Sequence, residues 1–249
     1  MKNLTFFFIA AIFLILFSCD NDNNKNPAAK GFNMESSDSM AVAVADHVMN
    51  AMGGRKNWDQ TQIFSWSFGS RKLIWNKESG DVRIEIPEEN IVLLYNHFSD
   101  AGRAFVTREE VVDTDSLLNM MEKAKRIWIN DSYWLVMPFK LKDSGVTLKY
   151  LGMGETKKGV ESHILELTFN NVGVTPENKY EVYVDSKSYL VNQWAWYRDY
   201  KQDSATAVWP FDNYQKMEGI LLSTDRSDGR GPKNVAVLKD IDPSLFTDL

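Results

Sequence analysis

From residue 63 onward, apolar and polar side chains alternate with the period of a β-strand. Phe64, Trp66 and Phe68 alternate with Ser65 and Ser67, and Val82, Ile84 and Ile86 alternate with Asp81, Arg83 and Glu85. Such segments bury one face and wet the other, as strands of a one-sided antiparallel sheet do. Leu73 and Trp75 mark a strand between these two, closed by the turn Asn76-Lys77-Glu78-Ser79-Gly80. Residues 91–95 are apolar on both faces, and 104–107 follow the turn Ser99-Asp100-Ala101-Gly102. Further strands are predicted over 133–137, 147–151, 163–169, 179–185, 190–198, 206–209, 215–222 and 234–238, with Gly, Pro, Asn or Asp at the breaks between them. Two stretches follow the helical period instead. Ala41, Ala45, Val48 and Met52 recur after a cap at Asp38 or Ser39, and Gly53-Gly54 ends the run. Leu117, Leu118, Met121, Ala124 and Trp128 form a stripe from Asp115 to about Trp128, capped by Thr114 or Asp115. Roughly a dozen strands, two helices and no βαβ alternation predict a mainly β fold with a few helices, built on a large, curved antiparallel sheet.

The amino terminus follows a different pattern. Lys2 precedes an apolar run from Phe6 to Phe17, too short for a membrane span and followed at once by Asp20-Asn21-Asp22-Asn23-Asn24. Leu16-Phe17-Ser18-Cys19 resembles the lipobox of a bacterial lipoprotein signal, and Cys19 is the chain's one cysteine. That resemblance implies a signal peptide over 1–18, lipidation of Cys19, and attachment to the bacterial cell envelope, at the outer membrane. Two or more acyl chains anchor stably without a spanning segment. Residues 19–38 are rich in Asn, Asp, Lys, Ser and Gly and read as a flexible tether, leaving 39–249 as a single domain.

Composition narrows the function. Loss of residues 1–18 removes Lys2 and takes the formal charge from −6 to −7, which disfavours nucleic acid as a partner. With Cys19 committed to lipid, the chain has no thiol left for a disulfide or a cysteine zinc site. His47, His97 and His163 lie at no metal-binding spacing, and no metal or cofactor is expected. Asp225, Asp228, Asp240 and Asp242 match no calcium loop. The adjacent acids Glu88-Glu89 and Glu109-Glu110 are the nearest approach to a glycosidase-type carboxylate pair. No nucleophile elbow, phosphate loop or zinc-protease motif is present, so the expectation is a protein that is not an enzyme.

Three segments resemble the LolA/LolB-like lipoprotein-carrier superfamily, and within it a family of outer-membrane-type lipoproteins. Residues 179–185 running through Leu190-Val191 to Trp194 resemble one of its hairpins, 214–222 with Gly219-Ile220 the next, and 130–139 its central strand after the middle helix. The resemblance covers most of 39–249. It implies an incomplete antiparallel barrel around covering helices, with an apolar cavity on its concave face for a lipid or acylated ligand. Phe64, Trp66, Phe68, Leu73, Trp75, Val82, Ile84, Ile86, Leu93 and Tyr95 are the residues expected to line it, and Leu117, Leu118 and Met121 its lid. Two other readings compete. One is a surface lipoprotein that binds a partner or glycan through exposed Trp194, Trp196 or Trp209; the other is a hydrolase with an unrecognised acidic pair.

Overall fold

Strand pairing is antiparallel throughout the described residues, 26–170, 173 and 175–249 of a computed structural model. The expected signal peptide and Cys19 lie outside those residues. A meander of β1 (Ile63–Phe68), β2 (Arg71–Asn76), β3 (Asp81–Ile86), β4 (Ile91–Asn96), β5 (Ala101–Val106) and β6 (Glu109–Glu110) makes most of the first sheet. The second contains β7 (Val146–Glu155), β8 (Glu161–Phe169), β9 (Lys179–Asp185), β10 (Val191–Tyr197) and β11 (Ala207–Pro210). A hairpin of β12 (Tyr214–Met217) and β13 (Ile220–Ser223) follows, and β14 (Lys233–Leu238) returns to the first sheet beside β1. Neither large sheet closes on itself, so the expected incomplete barrel is divided between sheets of seven and five strands.

The first sheet follows its sequence pattern closely. Asn76 Oδ1 accepts from the N–H groups of Glu78 and Ser79 and builds the β2–β3 turn. Asn96 repeats this for Phe98 and Ser99 at the β4–β5 turn, while its Nδ2 donates to Ser79 O and to Asp81. Two side-chain-built turns thus lock together at one end of the sheet. Glycine is needed at Gly102, where a Cβ would sit 1.9 Å from the Leu94 carbonyl oxygen and 3.0 Å from Met121 Sδ.

Three α-helices cover the sheets: α1 (Ser39–Ala51), α2 (Arg55–Gln60) and α3 (Thr114–Val136). α1 ends where expected. Gly53 takes φ +113° and lies against the Gly219 carbonyl, so the helix stop is also the contact with the β12–β13 turn. Asp113, one residue before the expected caps, accepts from Ser116 N at 2.9 Å and starts α3. The larger correction concerns 133–137, expected as a strand, because α3 continues through it to Val136. Ala124, Asp131, Ser132, Leu135 and Val136 are all buried at helical spacing, and the first breaker, Pro138, stands only in the 3₁₀ turn Met137–Lys140. The segment is apolar on more than one side, which masks its helical period.

Residues 26–38 correct the expected tether. Ala29 N donates to Lys142 O, Gly145 N to Gly31 O, Asn33 N to Val146 O and Asp38 N to Leu148 O, so this segment runs as a strap along the start of β7. Phe32 is buried beneath it, and Lys142 Nζ, itself buried, meets the Asn26 carbonyl and Asp46. Its polarity suits a tether, but backbone groups of Ala29, Gly31, Asn33 and Asp38 bond to residues 142–148.

A candidate ligand recess beneath the third helix

The residues expected to line a cavity form a packed core instead. Phe64, Trp66, Leu73, Trp75, Val82, Ile84, Ile86, Leu93 and Tyr95 are buried in one cluster with Met121, and Phe68 and Leu117 pack half-buried on its margin. Rings interlock there: Phe64 stacks on Trp75 at 5.3 Å, Trp128 meets Trp75 edge-on at 6.0 Å, and His97 stacks on Trp128 at 4.1 Å. Helix α3 buries Met121 and Ala124 in the same cluster. Leu118 is a further correction, since it is 64% exposed. The buried stripe runs Leu117, Met121, Ala124 and Trp128, and a residue one step from it points some 100° away.

The recess lies further along, under the C-terminal half of α3. Trp128, Ile129, Tyr133 and Trp134 form one wall, and Val146 of β7, Phe169 of β8 and Tyr180 of β9 form the other. Asn130, Ser132, Lys140, Asp143, Ser144 and Thr175 are the other polar residues lining it. The volume is about 330 Å³. Tyr133 sits among Phe169, Tyr180 and Trp194, at centroid distances of 6.3, 5.8 and 6.1 Å. Burial pushes its phenol well above the ordinary tyrosine range, so the hydroxyl is a permanent donor. Lys140 pairs with Asp143, both part-exposed, and leaves no net charge on that side of the recess.

Two buried ionic groups stiffen the elements around it. Asp131 is fully buried, and both its oxygens accept from Arg71, Nε at 2.8 Å and Nη2 at 2.9 Å. Desolvation raises its pKa, against the lowering pull of Arg71. Arg226, equally buried, lies 3.7 Å over the Phe211 ring, and its Nη2 donates to the Trp134 carbonyl at 2.6 Å. Burial brings its pKa down to about 10, and no carboxylate among the described residues pairs with it.

The other sequence candidates go elsewhere. Trp194 is only 1% exposed, and Trp196 and Trp209 stack on each other half-buried at 6.1 Å. Trp209 and Tyr214 border a second groove of about 530 Å³ together with Asp185, Asn192 and Asp212. Glu89 pairs with Lys123 and Glu110 with Arg103 on the surface. His163 meets Tyr150 at 3.0 Å and stacks on Tyr189, which also stacks on His47. No cluster of three metal-ligating side chains occurs among the described residues, and none of their helices is long and apolar enough to cross a membrane. What sequence reasoning missed was the recess wall on α3. Tyr133 and Trp134 were visible as aromatics, but were assigned to a strand.

The chain aligns with solved structures at low sequence identity. A LolA superfamily protein from Nitrosomonas europaea aligns at 10% identity and TM-score 0.37, over 82% of this chain and 97% of that one. A protein domain from Vibrio parahaemolyticus described as outer membrane lipoprotein-sorting aligns at 8% identity and TM-score 0.42, over 84% and 96%. A DUF1329 family protein from Desulfovibrio piger aligns at 14% identity and TM-score 0.44, over 83% and 96%. No family model and no curated protein matches the chain.

Proposed function

We propose that this protein is a non-enzymatic, lipid-anchored protein of the bacterial envelope that holds one acyl chain in the recess beneath α3. The carrying observation is a recess of about 330 Å³ walled by Trp128, Tyr133, Trp134, Phe169 and Tyr180. Aromatic rings on both walls suit an apolar chain, and the volume lies at the small end for a specific site. That size favours a single chain over a multi-chain lipid. Burying about 200 Å² of chain would contribute roughly 5 kcal/mol at ~25 cal/mol per Å². The anchor is Cys19. Of the three rings in the glycan reading, Trp194 is closed off from any sugar.

Photoactivatable palmitate supplied to membranes holding the full chain tests this reading. Label is expected on peptides spanning residues 128–146 and 169–180. Thr175→Trp, at an exposed position bordering the recess, is expected to reduce that label about tenfold. Label absent from these peptides, or unchanged in Thr175→Trp, overturns the proposal.

A further inference from the structure

Nine large apolar side chains are exposed among the described residues, and four of them lie on neighbouring segments: Met34 of the strap, Met40 of α1, and Leu151 and Met153 of β7, each about half exposed. Single apolar residues on a surface are ordinary, whereas neighbouring ones mark a contact. Asp38 ties these segments together. Its N–H donates to Leu148 O, and its carboxylate accepts from Tyr150 N and pairs with Lys149. Met40 follows two residues later on the first turn of α1, and Leu151 follows Tyr150 on β7. A ladder of rings then closes the circuit. Tyr150 bonds His163, which stands opposite Met153 in the β7–β8 register. His163 stacks on Tyr189, and Tyr189 stacks at 4.4 Å on His47, about two turns along α1 from Met40. His47 is exposed and the other three rings are part-exposed. Tyr189 holds its place at φ +57°, a left-handed conformation that a bulky side chain adopts only under restraint. Part-exposed Tyr and His rings beside methionine and leucine suit a bilayer boundary, where the apolar body of each ring is covered and its polar tip stays wet.

The route of the chain says what covers this patch. Asn26 Nδ2 donates to Asp46, six residues and about 9 Å along α1 from Met40. Residues 20–25 span about 25 Å at full extension, so a membrane that holds Cys19 lies within reach of the patch. Lys149 and Asp38, the charges at its near side, neutralise each other. We infer that the domain rests on its own membrane through Met40, Leu151 and Met153, with the ring ladder beside them in the headgroup region. This depends on the reading of Cys19 as the anchor, and adds the face on which the domain lies.

The test uses the full, lipidated chain in phosphatidylcholine vesicles, with one added thiol carrying a nitrobenzoxadiazole dye. Acylated Cys19 leaves no other thiol in the chain. Met40→Cys and Met153→Cys place the dye in the patch; Ser204→Cys places it at an exposed position in the β10–β11 loop, at the other end of β10 from Tyr189. Lipids with a doxyl group high on the acyl chain are expected to quench the two patch dyes at least about threefold more than the dye at 204. Leu151→Asp combined with Met153→Asp should bring quenching at position 40 down to the level at 204, while the chain stays on the vesicles through Cys19. Quenching at 40 and 153 no greater than at 204, or unaffected at 40 by the two aspartates, overturns the inference and leaves the anchor reading intact. A chain that washes off the vesicles removes the anchor reading, and the inference falls with it.

Discussion

Arg71 and Asp131 decide how firmly α3 is fixed to the first sheet. The carboxylate is fully buried, and the guanidinium that serves it comes from β2 through two near-parallel hydrogen bonds. Breaking such a pair from one side strands the other charge. Arg71→Met is therefore expected to cost about 3 kcal/mol near neutral pH, the low end of the range because Arg71 is part-exposed. The sign of the pH dependence follows from Asp131. Its folded-state pKa is raised above the ordinary 3.8, so folded protein keeps a proton that unfolded chain has released. Stability from this group falls as pH rises through that window. Removing Arg71, whose charge lowers the pKa, extends the window upward. Urea unfolding at pH 4.5 and 7.5 should show the Arg71→Met deficit growing with pH; a constant or shrinking deficit would contradict the assignment.

At the level of the element, α3 is where sequence and structure part. Strands β1 and β3 are legible because apolar and polar residues alternate along them, so Phe64, Trp66, Val82, Ile84 and Ile86 announce themselves. The first half of α3 was legible for the same reason at helical period. Its second half lies between the first sheet, the second sheet and β13, so Ile129, Tyr133, Trp134 and Leu135 are apolar in several directions and carry no readable period. Losing that half of the helix also meant losing the recess, whose wall it forms. The strap was misread by the opposite route, because a polar segment with satisfied backbone groups looks in sequence like a free one. Substitution separates helix from strand at α3. Leu135→Ala, at a fully buried position, is expected to cost about 2–5 kcal/mol by urea denaturation, whereas Leu118→Ala, pointing to solvent, should fall within about 0.5 kcal/mol of the parent. Comparable losses at both positions would place Leu118 in the core and refute the helix orientation.

For the molecule as a whole, the strap joins the amino terminus to the loop that contributes to the recess. Lys142, Asp143, Ser144 and Gly145 hold residues 26–31 through Lys142 Nζ, Lys142 O and Gly145 N, and the same loop supplies Asp143 and Ser144 to the recess. Phe32→Ala, which empties the pocket under the strap, should cost about 3 kcal/mol and let trypsin cut after Lys30 well before the rest of the fold is digested. Unchanged resistance at Lys30 would show that the strap is held without Phe32. The docked strap also sets a leash. With Cys19 as the anchor, only residues 20–25 separate the lipid from docked Asn26, a reach of about 25 Å at full extension. A site so closely leashed meets the membrane's own lipids at an effective concentration set by geometry and not by diffusion through the surrounding fluid. On the proposed anchoring, it also does not leave with what it picks up. Such a protein would work as a stationary receiver or presenter at one leaflet, handing its ligand to whatever comes to it.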